Sequence, residues 1–366
     1  MIISIFLVLV ISFFTSRLFI RYILFWALSN RKLDEINSRK IHHGYVPRLG
    51  GLAFFPAMGI SLLLVEFFRL YKRELDICVL NQHMPEFLTL LFSGLICYMA
   101  GVYDDLRGMG YRRKFIVQIV ACLFLVAWGP RIDNLEGICG IYALHPVVSF
   151  LFSVFIAIFI INSINLIDGI DGLASGISSI AILYYGVFYI YLGYNTHALT
   201  ACALLGTLIP FFIYNIWGFR KRHKIFMGDT GSLSLGIMLA FFSFSLYSEL
   251  SRGDSQFSGN PLILAFAPLA VPCMDVVRTF LHRIKNHRHP FKADTSHIHH
   301  KLIFMGLSKH NTLLVLLFAS ATYTFFNVVF SDKEGNLVFA LNIISYTLLN
   351  ICLTRKMGRV SKQTKY

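Results

Sequence analysis

Residues 146–172 read PVVSFLFSVFIAIFIINSINLIDGIDG. Between Pro146 and Ile167 no side chain is charged, and the apolar run is continuous. About 20 mostly apolar residues are what an α-helix needs to cross a bilayer, because inside it each backbone polar group must be bonded within the segment. A spanning strand would alternate apolar and polar residues instead. The run then ends on two carboxylates three residues apart, Asp168 and Asp171, each followed by glycine. Ionisable groups at or within a membrane boundary are costly and mark functional sites by default.

Composition extends this reading to the whole chain. Of 366 residues, 56% are hydrophobic and 14% charged, whereas soluble domains carry roughly 25% charged residues. With a mean hydropathy of +0.65, a soluble globule, a disordered chain and a disulfide-stapled secreted module are excluded. Eleven spans are expected, near 2–28, 50–68, 87–103, 115–129, 146–167, 173–192, 198–217, 231–247, 261–282, 311–330 and 336–353, the fourth of them short. Arg17 and Arg21 in the first span snorkel toward an interface. No basic segment precedes that span and no small-residue cleavage site follows it, so it is not read as a signal peptide.

Charge sets the direction. Numbering the connections alternately places 24 Lys and Arg on one side and 6 on the other. By the positive-inside rule the N-terminus lies outside and the C-terminus in the cytoplasm. The net charge of +14 is thereby explained by topology, and nucleic-acid binding drops out. The expected architecture is an all-α polytopic membrane protein. It forms one integral-membrane domain over 1–353 with cytoplasmic loops 29–49, 104–114, 162–172, 218–230 and 283–310, then a basic tail over 354–366. The seven cysteines show no metal-ligand spacing and most read as small core hydrophobes.

Only 19 residues are acidic. Asp104 and Asp105 end the third span, Asp168 and Asp171 the fifth, and Asp229 opens the eighth, all toward the basic side. Singly, each suits a solvated helix cap, and Asp229 before Thr230 and Gly231 suits a helix N-terminus. As a set they crowd like charges, which raise one another's pKa unless a cation neutralises them. Hard oxygen ligands favour Mg²⁺, which takes one or two carboxylates and keeps positions for phosphate oxygens. Glycines at 169, 172, 228 and 231 leave room for a ligand against the backbone. The pattern reads as a metal-assisted phosphate site at the membrane surface. The loops 38–51 and 288–302 add His, Lys and Arg on the same side. Phosphate or sugar contact is the favoured role of His297, His299 and His300, with a solvated basic loop or a second metal as alternatives. Asp275 and Arg278 read as a structural i,i+3 pair. A transporter would bind near the midplane between internal repeats; here the acids sit at one face and no repeat is visible.

Five segments in order carry a resemblance: RKIHHGYVPRLGG (39–51), DDLRGMGYRRK (104–114), NSINLIDGIDGL (162–173), FMGDTGS (226–232) and HIHHKL (297–302). They resemble the polyprenyl-phosphate N-acetylhexosamine-1-phosphate transferase superfamily, in its branch of bacterial undecaprenyl-phosphate N-acetylglucosamine-1-phosphate transferases. The resemblance implies transfer of N-acetylhexosamine 1-phosphate from a UDP-N-acetylhexosamine to undecaprenyl phosphate, releasing UMP and starting a cell-envelope glycan. It implies Mg²⁺ as cofactor, with Mn²⁺ as a substitute, and an active site on the cytoplasmic face of the bacterial inner membrane. Carried over residue by residue, Asp229 is a metal ligand and Asn165 a second one. Asp104 and Asp105 activate or position the lipid phosphate, with Asp104 as the base, while Asp168 and Asp171 organise nucleotide and metal. His297, His299 and His300 contact the diphosphate or sugar, Asn215 the uracil or ribose, and Lys40, His42 and Lys114 complete the substrate contacts. The order His-Ile-His-His departs from the three consecutive histidines of the peptidoglycan-precursor translocase, which argues against a UDP-MurNAc-pentapeptide donor. GlcNAc is the expected sugar and another N-acetylated or deoxy hexose the alternative. Direct transfer and a covalent Asp intermediate both stay open, and a homodimer is the assembly that relatives suggest.

Overall fold

The structure, a computed structural model, describes residues 1–30, 46–72, 77–218, 223–252, 258–287 and 297–363. Among these residues the protein is helical, apart from one isolated β-bridge between Asn134 and Ala143. The helices are α1 (Ile2–Ser29), α2 (Phe54–Tyr71), α3 (Ile77–Arg107), α4 (Tyr111–Trp128), α5 (Pro146–Ile167), α6 (Leu173–Leu192) and α7 (Asn195–Trp217). They continue with α8 (Gly228–Ser251), α9 (Pro261–Phe266), α10 (Ala270–Lys285), α11 (Ile298–Phe304), α12 (Lys309–Val329) and α13 (Gly335–Gln363). Among the described residues ten segments are long and apolar enough to cross a membrane. The remaining expected span, the fourth, 115–129, is helical to Trp128, but α4 starts earlier and spends its first turn on Arg112, Arg113 and Lys114. α13 runs on to Gln363, so the expected tail begins as helix.

α8 forms the axis of the bundle. In its most apolar stretch 94% of residues are buried, against 22% for α1 and for α13 at the periphery. It packs between α3 and α5, with α6 and α9 beside it. Helices in lipid associate by close packing and hydrogen bonding, so small residues mark the tightest contacts. A Cβ on Gly51 would stand 2.1 Å from the backbone N of Gly231, and one on Gly101 would stand 2.3 Å from the Cα of Thr230. The start of α8 is thus clamped backbone to backbone from two sides.

The ninth span is broken. Asn260 caps α9, its Oδ1 accepting from the amides of Leu262 and Ile263, and Pro261 fits the first helical position. A 3₁₀ turn, Ala267–Leu269, then separates α9 from α10. Pro268 has no amide hydrogen to give the carbonyl four residues back. That carbonyl, Leu264 O, accepts from Tyr184 Oη at 2.8 Å, and Ala265 O accepts from Tyr185 Oη at 3.0 Å. Two phenols of α6 thereby bond the carbonyls at the break, Leu264 O also accepting from Ala267 N.

At the end remote from the acids, the segment 130–145 folds over the bundle. Asn336 at the start of α13 ties it down, accepting from Cys139 N at 2.7 Å and donating to Gly137 O at 3.0 Å. Farther along, α12 and α13 are joined by their amides, Asn342 Nδ2 donating to Asn327 Oδ1 at 2.6 Å.

Gly101→Ala is expected to push α3 off α8 and lower stability by about 1–3 kcal/mol, the usual cost of overpacking. Gly59→Ala meets nothing within 4 Å and is expected to be neutral or to stabilise α2 by about 0.5–1 kcal/mol. Melting temperatures of the detergent-solubilised pair check both; equal melting points would refute the clamp.

Candidate active site

Three helix ends meet at one end of the bundle: the last turn of α3, the last turn of α5 and the first turn of α8. Adjacent residues Asp104 and Asp105 point about 100° apart because a helix turns once per 3.6 residues, and they do different things. Asp105 closes α8. Its Oδ1 accepts from Asp229 N at 2.8 Å, and its Oδ2 accepts from Thr230 N at 2.9 Å and Thr230 Oγ1 at 2.6 Å. A carboxylate here satisfies amides that no helical carbonyl reaches and complements the positive end of the helix dipole. Gly228 admits the approach with φ of +71°; a Cβ there would lie 2.5 Å from Asp105 Oδ2. Asp105 was expected on the lipid phosphate; in this structure both its oxygens are committed to positioning Asp229.

Asp104 turns the other way. Its Oδ1 accepts from Met109 N at 2.5 Å, and its Oδ2 lies 3.3 Å from Lys114 Nζ. Lys114 also donates to Asp229 Oδ1, so one ammonium bridges the two carboxylates. Asn165 Nδ2 donates to the same Asp229 oxygen at 2.6 Å and to Ser232 Oγ at 2.8 Å. This leaves Asn165 Oδ1 as its only atom for a cation. Asp229 is therefore held from three helices: its amide donates to Asp105 of α3, and its carboxylate accepts from Lys114 of α4 and Asn165 of α5.

Asp168 caps the C-terminus of α5. Its surface is open on one side, yet protein packs around the carboxyl group. That enclosure, reinforced by the charges of Asp229 and Asp171 and opposed by Arg48, pushes it up to about 7. Asp171 is paired with Lys224, Nζ to Oδ2 at 2.7 Å. Asn215, expected at the uracil or ribose, is buried with both amide atoms engaged. Its Oδ1 accepts from Gly172 N at 2.5 Å and its Nδ2 donates to Ile225 O at 2.8 Å. It holds the turn that carries Asp171 and does not face the site.

The histidine segment lies against that same turn. A Cβ on Gly169 would stand 2.1 Å from His299 Nε2, so the imidazole rests directly on the Asp168–Asp171 backbone. His299 is buried, and neither ring nitrogen has a hydrogen-bond partner among the described residues. Burial and the neighbouring His300 and His297 hold its pKa down to about 3, so the ring is neutral. His297 stacks on it with centroids 5.8 Å apart, and His300 follows at 4.2 Å. His297 Nδ1 lies 2.7 Å from Asp275 Oδ2. The expected Asp275–Arg278 pair is present at 3.1 Å, but sequence reasoning missed that Asp275 also orients His297. It also missed Thr230 as a partner of Asp105 and Ser232 as a partner of Asn165, although both follow Asp229 in the motif. Lys40 and His42 lie outside the described residues.

Residues 87–247 match the family described as glycosyl transferase family 4. The chain is 30% identical to the undecaprenyl-phosphate alpha-N-acetylglucosaminyl 1-phosphate transferase of Haemophilus influenzae, over 79% of this chain and 76% of the relative. The chain belongs to this family. Other members include the enzyme of the same description from Yersinia pestis, 26% identical over 91% of this chain and 87% of the relative. Another is the decaprenyl-phosphate N-acetylglucosaminephosphotransferase of Mycobacterium tuberculosis, 29% identical over 79% and 75%. The family match spans α3 through most of α8, the helices that build the acidic cluster, and identifies a phosphosugar transferase that spans the membrane several times.

Asp105→Ala is expected to leave three donors at the α8 terminus unsatisfied and to cost about 2 kcal/mol or more of stability. Asp104→Ala removes one amide contact and half of a bridged pair, and its melting temperature is expected to stay closer to wild type. Thermal unfolding followed by tryptophan fluorescence distinguishes them; the reverse order would overturn the division of labour.

Proposed function

We propose that the protein transfers N-acetylglucosamine 1-phosphate from UDP-N-acetylglucosamine to undecaprenyl phosphate at the cytoplasmic face of a bacterial inner membrane. The reading is carried by the bridging of Asp104 and Asp229 by Lys114 at a helix terminus, in a chain whose relatives act on polyprenyl phosphates. An oxygen of the lipid phosphate attacks the phosphorus that bears the sugar. The bond from that phosphorus to the UMP oxygen breaks, giving polyprenyl-diphospho-N-acetylglucosamine and UMP.

A phosphate monoester has its second pKa near about 6, so at neutral pH the acceptor is already largely ionised. The site must then supply alignment and charge neutralisation more than a strong base. Lys114 is a compact cation for phosphate oxygens, and the first turn of α8, fixed by Asp105, keeps Asp229 facing it. Asp168, near 7, is matched in pKa to accept the residual acceptor proton, a role that the sequence reading gave to Asp104. The neutral His299, its ring nitrogens unpartnered among the described residues, offers one donor and one acceptor to the sugar phosphate without adding charge.

The donor set fits Mg²⁺. Lys114 marks the point where two carboxylates draw a cation, and every available side-chain ligand there is a hard oxygen. No group of three or more His, Cys, Asp or Glu with metal-holding geometry occurs among the described residues. One or two carboxylates completed by phosphate oxygens and water is the mode Mg²⁺ favours. Asp229 and the Oδ1 of Asn165 would hold it, with Asp104 adjacent. When bound, the cation would neutralise charge on the diphosphate.

Purified protein is expected to release UMP from UDP-N-acetylglucosamine only with acceptor lipid, and a chelator is expected to stop it; a panel of UDP-sugars checks the donor. Asp229→Asn is expected to lower turnover by about 10²-fold or more while staying folded. Turnover is expected to rise with pH through about 7 as Asp168 ionises, and Asp168→Asn to abolish that rise. Transport of an intact solute without UMP release would refute the reading.

A further inference from the structure

α13 is a peripheral helix whose inner face is polar. Its buried residues recur every four positions: Val338, Asn342, Tyr346 and Asn350, the spacing that lines one helix face. The outward positions between them, including Ile343, Ile344, Leu348 and Leu349, are apolar and exposed. Buried polar groups inside a membrane helix are retained where they have a partner and a task. Here the partners beyond Asn342 are the groups behind the histidine segment.

Tyr346 Oη donates to Asp275 Oδ1 at 3.1 Å. The same oxygen accepts from Arg278 Nη2 at 3.1 Å and from Ile298 N at 3.2 Å. The other oxygen, Oδ2, is left to His297 Nδ1 at 2.7 Å. An ionised carboxylate only accepts hydrogen bonds, so Nδ1 carries the hydrogen and Nε2 is the ring's remaining functional atom. One turn along α13, Asn350 Oδ1 accepts from Lys301 Nζ at 3.2 Å, and Thr354 Oγ1 accepts from it at 3.0 Å. Lys301 is itself largely buried, and it belongs to the same HIHHKL segment as His297. α13 therefore grips the segment at both ends of one helical turn: at residue 297 through Asp275 and at residue 301 directly.

We propose that Tyr346 and Asn350 are positioning residues for the histidine segment, fixing the ring direction of His297 and the seat of His299 on the Asp168–Asp171 turn. Its kinetic part rests on the proposed reaction, in which these histidines meet the donor's sugar diphosphate. The residues lie outside the matched family region, 87–247, and on a helix that touches none of the carboxylates 104, 105, 168 or 229 in the contacts described. A lost hydroxyl here displaces a ring without altering its chemistry.

The test uses the full-length protein and the variants Tyr346→Phe, Asn350→Leu, Asn350→Asp and Asn342→Leu. Two readouts are taken: the rate at which diethyl pyrocarbonate modifies the 297–300 histidines, by peptide mass spectrometry, and steady-state kinetics with UDP-N-acetylglucosamine and polyprenyl phosphate. Tyr346→Phe and Asn350→Leu are expected to raise the modification rate, and KM for the UDP-sugar, by about tenfold, the scale of one buried hydrogen bond. KM for the lipid is expected to stay within about twofold, because uniform donor binding alone is lost. Asn350→Asp keeps an acceptor for Lys301 and is expected to restore both values. Asn342→Leu breaks the amide pair with α12 and is expected to lower the melting temperature while leaving both readouts at wild type. If Tyr346→Phe and Asn350→Leu change only the melting temperature, as Asn342→Leu does, the positioning role is overturned. If the modification rates separate the variants as described but the wild type makes no UMP, the positioning holds and the proposed reaction fails.

Discussion

One hydrogen-bonded contact organises this molecule: the carboxylate of Asp105, at the end of α3, closing the first turn of α8. α8 is the most enclosed of the spans among the described residues, and at its first turn, where Thr230 is buried, Asp105 supplies the acceptor that no helical carbonyl can. Once Asp105 provides it, Asp229 is fixed at the head of α8, Gly51 and Gly101 are held against the backbone at 230–231, and α3 and α8 share one height. The charged cluster is a result of that constraint as much as of its own attractions.

The charges around it are arranged in alternation. Lys114 separates Asp104 from Asp229, Lys224 stands on Asp171, and Arg48 acts on Asp168. Removing one member of such a set leaves an uncompensated charge in a poorly solvated place, which is costlier than the pair is stabilising. The histidine side follows the opposite rule. Among the described residues both ring nitrogens of the neutral His299 are unpartnered, and His297 is held through Nδ1. A crowded ionic cluster and a neutral His299 face the same turn.

The spans were legible because lipid forces continuous apolar runs, and every segment anticipated from Ile2 to Leu353 is helical. The start of α4 was hidden by Arg112, Arg113 and Lys114, which look like loop until the helix places them at a polar boundary. The acids could be assigned to one end of the bundle because each sits where hydropathy stops. Their roles were not legible. Asp104 and Asp105 are chemically identical neighbours, told apart only by rotation about the helix axis. Asn215 has the polarity of a ligand contact, and only the buried positions of Gly172 N and Ile225 O turn it into a brace. Tyr346 and Asn350 belong to no motif; a four-residue polar spacing on a lipid-facing helix was the one trace they left.

The interruption of the ninth span has a mechanical meaning. A proline in a helix removes one ladder hydrogen bond and kinks the chain there. Here Tyr184 and Tyr185 hold Leu264 O and Ala265 O from the side, so the elbow is set at one angle. The lower arm of that elbow carries Asp275. Two phenols in the middle of α6 thus act as a jig for the imidazole that Asp275 orients, and a tolerance lost at the joint is magnified along the arm.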